Sequence, residues 1–514
     1  MRYFLFIFSI LAVSAFAQTP TAATADQKFL AGNYDGALVE YLKLLETDTK
    51  NETYNMRVAV CYLETNIEKC KALPFLEFLG NQPKPMSGVQ YYLGMAYAYC
   101  NKFDNAIEAY KKAMAETLPA GVEKSHVERR IEWANNAKEL MRSPIPVAFE
   151  NLGPAINTPF ADYAPFISTD ESFLMYNSNR PDESVLKADG KYASNVYLSK
   201  VKEGKWQKSE SIGEQVNTKD GDEEIVGVCA DGNTLIYSFE NQTVKGDILV
   251  GPKMGDEILA PFKVNPNINS EHIESAAAIS PDGRVLYFVS NRPGGLGGFD
   301  IYRSMILPNG EWGEAFNLGP NINTPHDENF PNISMDGKTL YFSSKGHNSM
   351  GGYDIFKAEL GEDEINFGKP TNMGYPVNTA MDDQNLCMSQ NGKYAYLSTI
   401  RKGKDSMGDL DIYRVIFKSV DGELTVIKGV VSSSIPSTKI TTCNIEVIEA
   451  KSNETYGTYK VNPSTGKYVI ILPPGQYYLQ IDGAGFKSLS ENVNVLDKGS
   501  FVPMIEKNFS IQPK

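Results

Sequence analysis

"SPDGRVLYFVSNRPGGLGGFDIYRS", Ser280 to Ser304, decides how this chain is read. A tight Asp-Gly turn is followed by an apolar run, a Gly-rich loop and a second apolar run, which spells strands joined by hairpins. The same grammar returns in "SMDGKTLYFSSKGHNSMGGYDIFKA" from Ser334 and "SQNGKYAYLSTIRKGKDSMGDLDIYRV" from Ser389, and more loosely in "CADGNTLIYSFENQTVKGDILVG" from Cys229. A fifth line, "STDESFLMYNSNRP" from Ser168 with "SNVYLSK" from Ser194, has lost its turn glycine and gained an insertion. The turn residues Asp170, Asp231, Asp282, Asp336 and Asn391 are 61, 51, 54 and 55 residues apart, room for about four short strands per unit. Five such units predict a five-bladed β-propeller.

The phrase "NLGPNINTP" (Asn317 to Pro325) also stands, nearly unchanged, as "NLGPAINTP" at Asn151 to Pro159, before the first unit begins, whereas the last unit lacks it. A ring must join its ends. The early phrase is therefore read as the outermost strand of the last blade, donated by the N-terminal side to pair beside Asp411 to Phe417 and remove the open edges.

Upstream, from Asp26 to about Met141, apolar residues recur at helical spacing. "GNYDGALVEYLKLL" (Gly32 to Leu45) aligns with "NKFDNAIEAYKKAM" (Asn101 to Met114) at an offset of 69, and Ala37, Ala72 and Ala106 mark one small position in three helices. With "YYLGMAYAYC" (Tyr91 to Cys100), the segment resembles the tetratricopeptide repeat, which implies an α-solenoid with a concave protein-binding surface. The plainer alternative is a spacer docked on the neighbouring domain. Downstream, the alternating runs of "GKYVIILPPGQYYLQIDGAGF" (Gly466 to Phe486), paired with an earlier "KGVV" strand, read as a small antiparallel β-sandwich and resemble the non-catalytic carboxypeptidase regulatory-like domain. The predicted layout is a leader (1–17), a helical domain (18–142), a propeller (143–420), a sandwich (421–505) and a tail or linker (506–514).

Arg2 followed by "YFLFIFSILAVSAFA" and Ala15-Phe16-Ala17 reads as a cleaved secretory signal, the apolar run being shorter than the roughly 20 residues a membrane anchor needs. No later run is long and apolar enough to span a bilayer as a helix, so the mature chain is expected to be soluble in an exported compartment. The six cysteines form no CxxC or Cys/His cluster; a bridge among Cys61, Cys70 and Cys100 is open, with buried free thiols the preferred reading. The formal charge of −14 resides in the middle of the chain: residues 143–420 carry 24 basic and 38 acidic side chains, whereas 18–142 carry 15 and 16 and 421–514 carry 9 of each. That field repels phosphate backbones and argues against nucleic acid as a partner.

Catalytic signatures are not found. The four histidines form no HExxH, no Gly-x-Ser-x-Gly exists, and no cofactor motif is read. Asp247, Asp300, Asp354 and Asp411 recur blade after blade, as structural residues do, and the glycines of "RPGGLGGFD" and "HNSMGGYD" precede strands rather than helices, so they read as turns and not phosphate cradles. One constellation stands out. Four residues after each "INT", "INS" or "VNT" comes a carboxylate: Asp162, Asp222, Glu274, Glu328 and Asp383. Either each caps backbone N–H groups between blades, or together they ring the channel mouth and take a cation or a basic partner segment.

The order of leader, helical repeats, WD40-like (TolB-like) propeller and carboxypeptidase regulatory-like domain resembles OmpA-family periplasmic proteins of Bacteroidota, among them the peptidoglycan-associated subunit type of the type IX secretion machinery. Those proteins continue into an OmpA-like domain, and this chain stops at "IEKNFSIQPK". The resemblance implies a non-enzymatic periplasmic scaffold at the inner face of the outer membrane, whose partners are envelope or secretion-machinery proteins and peptidoglycan-linked complexes. The alternative function is a glycan-binding or glycan-processing propeller.

Overall fold

The computed structural model describes residues 21–514 except 67, 182–183, 220, 230–231, 242, 390–391, 402–404, 419–423 and 496–503; the run read as a secretory signal lies outside the described residues. Five antiparallel sheets follow one another from residue 147 to residue 417. The innermost strands are Asp162–Ile167, Gly221–Val228, Glu274–Ile279, Glu328–Ile333 and Gln384–Met388. Each lies against the next, and the last against the first, so the ring is closed. Each also carries a register shift, which bends the strand where five sheets converge. Apolar side chains of adjoining blades interleave, for example Leu286, Phe288, Phe342 and Phe356 in one buried cluster.

Closure comes from the N-terminal side. Val147–Asn151 pairs antiparallel with Asp411–Phe417, from Val147 opposite Phe417 to Asn151 opposite Tyr413. The donated strand is thus "VAFEN". Of the phrase starting at Asn151, only that residue lies in the strand, and the remainder turns the chain inward to the first blade.

The α-solenoid expectation is corrected. The described residues are predominantly β; seven helices of eight to seventeen residues are confined to 22–140, and no solenoid of tetratricopeptide repeats is evident. Stacked repeats need equal helices. Here the middle unit breaks into a 3₁₀ turn, Lys69–Ala72, and the eight-residue helix Leu73–Gly80, with Pro74 in its first turn. The small positions do serve close packing: Ala37, Ala72 and Ala106 are fully buried, and a side chain at Gly94 would run into the Tyr110 ring. The preference for free thiols is also corrected in part, because Cys70 and Cys100 form a disulfide, while Cys61, Cys229, Cys387 and Cys443 are free and buried.

The C-terminal unit holds two four-stranded sheets around one apolar core that includes Ile427, Ile445, Ile470 and Leu479. Thr425–Ser433 pairs antiparallel with Lys467–Leu472 but parallel with Met504–Glu506 and Phe509–Ile511, so the sandwich is not purely antiparallel. Residues 506–514, read as a tail, belong to it: Phe509 and Ile511 are buried in the core. Among the described residues no helix is long and apolar enough to cross a membrane.

Candidate functional site

The repeated phrase is a set of hydrogen-bonded locks. In blade three, Asn317 donates to the Asp300 carboxylate and accepts from the Gly319 N–H, while Asn323 donates to the Ile301 carbonyl and accepts its N–H. Asn372 and Asn378 repeat this at Asp354 and Ile355, and Asn151 and Asn157 repeat it at Asp411 and Ile412. The first copy of the phrase therefore stitches the two ends of the ring. Asp300, Asp354 and Asp411 also accept backbone N–H groups of the Gly-rich loop before them, at Gly297, Met350 and Met407.

The carboxylates complete the same locks. Asp162 accepts the N–H (2.6 Å) and hydroxyl (2.7 Å) of Thr158 and pairs with Arg180 at 2.6 Å. Glu274 accepts from Ser270 and Ser290 and pairs with Arg292, and Asp383 accepts from Thr379. Glu328 accepts from Thr324 and Ser344, with no ion-pair partner among the described residues. Asp222 lies elsewhere, bound to Lys187 and the Ser194 N–H. Its neighbour Glu223 takes the lock position, accepting from the Thr218 hydroxyl, because the second blade's inner strand starts one residue later in phase. The cue was three consecutive acids, Asp222-Glu223-Glu224, of which strand alternation buries the middle one. Asp162, Glu274, Glu328 and Asp383 accept from the turn that enters their own blade, whereas Asp222 reaches across to the first blade. Among the described residues no three of His, Cys, Asp or Glu converge where a metal could sit.

Burial without full compensation raises three of these carboxyls. The Glu328 carboxyl is pushed up to about 8 by burial, and Asp383 and Glu223 to about 7 each, again by burial first. Blade four lacks the arginine of its neighbours. Gly346 stands in that place, where a Cβ would strike Thr324, and His347 instead donates to the Ile322 carbonyl at 2.9 Å.

The two propeller faces are occupied differently. On the face of the Gly-rich loops, helix Lys124–Leu140 rests on blade four. Arg129 donates to the Lys345 and His347 carbonyls, Trp133 to Lys345, and Asn136 to Ser349, over an apolar contact of Phe103, Ala134 and Ala137 with Met350 and Ala380. On the opposite face, the hairpin turns at Asp170, Asp282 and Asp336 look toward the β-sandwich. Lys460 of the sandwich pairs with Glu364 at 2.5 Å, and Lys338 of the propeller lies 4.5 Å from the Tyr459 ring centre. Between them is a cleft of about 1260 Å³. Its floor is blades one to four, and its wall includes residues 455–456, 458–460 and 467–469 of the sandwich. It exceeds the roughly 300–1,000 Å³ of small-ligand pockets. The cleft has no counterpart in any one stretch of sequence, since it exists only once two domains meet.

No protein-family model matches the chain, and no curated protein does. Solved structures similar to it include TolB from Acinetobacter baumannii, at 16% identity over 58% of this chain and 72% of that chain, TM-score 0.34. A glycoside hydrolase matches at 8% identity over 56% and 95%, TM-score 0.39, and a xylan β-1,4-xylosidase from Bacillus halodurans C-125 at 13% over 67% and 92%, TM-score 0.34. The propeller itself rests on this chain's own strand pairing.

Proposed function

We propose that the protein is an exported, non-enzymatic scaffold that holds partner proteins in the cell envelope. The observation that carries this reading is the arrangement of the propeller: one face bears a helical domain, the other a β-sandwich, and the space left between folds is a wide cleft rimmed by strand edges. Four of its recurring carboxylates are engaged in hydrogen bonds that fix the entry turn of their own blade. The N-terminal apolar run supports export, and a Cys70–Cys100 disulfide suits an oxidising compartment. The resemblance seen in the sequence narrows the proposal to the periplasmic side of the outer membrane and to envelope or type IX secretion-machinery partners. Affinity capture from envelope extracts with the full chain is expected to recover specific proteins, and a glycan array and hydrolase panel to remain blank. Glycan cleavage, or capture of nothing specific, overturns the proposal.

A further inference from the structure

The cleft wall is built from strand edges. Thr455–Lys460 is the outermost strand of its sheet, paired on one side only with Cys443–Glu449. Val461 donates to the Cys443 carbonyl, and Asn444 stands opposite Lys460, Ile445 opposite Tyr459 and Glu446 opposite Thr458. In an antiparallel ladder, bonded and non-bonded pairs alternate. The pair at Tyr459 is therefore bonded inward, and the N–H and C=O groups of Thr458 and Lys460 point outward. Among the described residues no backbone group pairs with them. Thr458, Tyr459 and Lys460 all line the cleft although consecutive side chains point to opposite faces, as happens when a strand presents its edge.

Such an edge is a template for another strand. Its surroundings select the occupant. The propeller floor contributes six carboxylates and three lysines to the lining, and the sandwich wall adds Lys428, Lys460, Lys467 and Glu506, with Lys428 beside Glu506 and Lys460 paired with Glu364 of the floor, so the excess of negative charge lies on the floor. Lys200 is paired with Asp256, and Lys253 and Lys338 lie over the Phe173 and Tyr459 rings. Asp282, Asp336 and Glu362 have no cation at ion-pair distance among the described residues. On the wall, the exposed ring of Tyr456 offers apolar surface, whereas Tyr459 and Tyr468 are buried in the sandwich core. We propose that the cleft binds an extended segment of a partner protein, alternating apolar and basic residues, by adding it as a strand to the edge Thr455–Lys460. The apolar side chains cover Tyr456 and the basic ones face the propeller floor.

This inference rests on the scaffold reading but is tested apart from it. The probe is a fluorescein-labelled nine-residue peptide alternating Val and Lys, compared with its Val/Glu counterpart, titrated by anisotropy against the full chain. The Val/Lys peptide is expected to bind at least tenfold more tightly than the Val/Glu one and to slow amide exchange at 456–460. Thr458→Pro removes an outward donor without touching the inward ladder and is expected to weaken binding tenfold or more; Glu362→Lys is expected to narrow the preference between the peptides. Exchange protection in the unmodified protein decides the matter should Thr458→Pro fail to fold. Binding of neither peptide, equal binding by folded Thr458→Pro, or protection elsewhere overturns strand addition, while partner capture by the full chain would leave the scaffold reading standing.

Discussion

Replacing Glu328 by Gln should stabilise the protein at alkaline pH and leave it nearly unchanged in acid. The Glu328 carboxyl is fully buried, accepts from Thr324 and Ser344, and lacks the arginine that Asp162 and Glu274 possess. Burial lifts it from 4.5 to about 8. A raised folded-state value means that the native protein holds a proton the unfolded chain releases. Its contribution is fully present below pH ~4.5 and is lost as pH rises toward about 8. At about 1.4 kcal/mol per unit, the shift corresponds to an upper bound near 5 kcal/mol, and relaxation around a buried charge reduces it to roughly 3. Gln keeps the shape and cannot ionise. Asp383 and Glu223 titrate in the same direction and belong to both proteins, so the difference between variant and parent isolates Glu328. Urea midpoints of the propeller transition at pH 5 and pH 8.5 measure it. A difference of the same size at both values, or a variant weaker at both, would refute the reasoning.

A chain beginning at 143 should keep the propeller's melting temperature, whereas one beginning at 160 loses the strand Val147–Asn151 and exposes the edge of Asp411–Phe417; equal melting temperatures would contradict closure by the donated strand. Arg129→Ala removes the bonds to Lys345 and His347 that tie the last helix to blade four, and should raise proteolysis near residue 143 several-fold while the propeller's own melting stays unchanged. Changing Cys70 and Cys100 together to Ser opens a cross-link spanning 30 residues, and is expected to cost about 3 kcal/mol in the helical domain, read by its denaturant midpoint.

What the sequence reveals here depends on locality. Turns and apolar runs within a blade are local, so five units and a displaced closure are legible, and Asn157, Asn217, Asn269, Asn323 and Asn378 recur because each accepts the same strand N–H in its blade. Phase is less local. One extra residue before the second inner strand moves the lock from Asp222 to Glu223, which spacing alone does not reveal. The helical period suggested equal repeats, but Pro74 and the Lys69–Ala72 turn break the middle one. Residues 506–514 looked like a linker because short strands are recognisable only beside their partner, here Thr425–Ser433 some 80 residues earlier. The cleft has no signature at all, since its floor and wall come from separate domains.

Chemical cross-linking of the native protein in intact cells, read by mass spectrometry, tests the scaffold claim most directly. The account predicts recurrent cross-links from the lysines at the cleft, Lys428, Lys460 and Lys467, to a small set of envelope proteins, reduced when Thr458→Pro replaces the parent chain. Cross-links confined to this chain, or scattered over abundant proteins without preference, would contradict it.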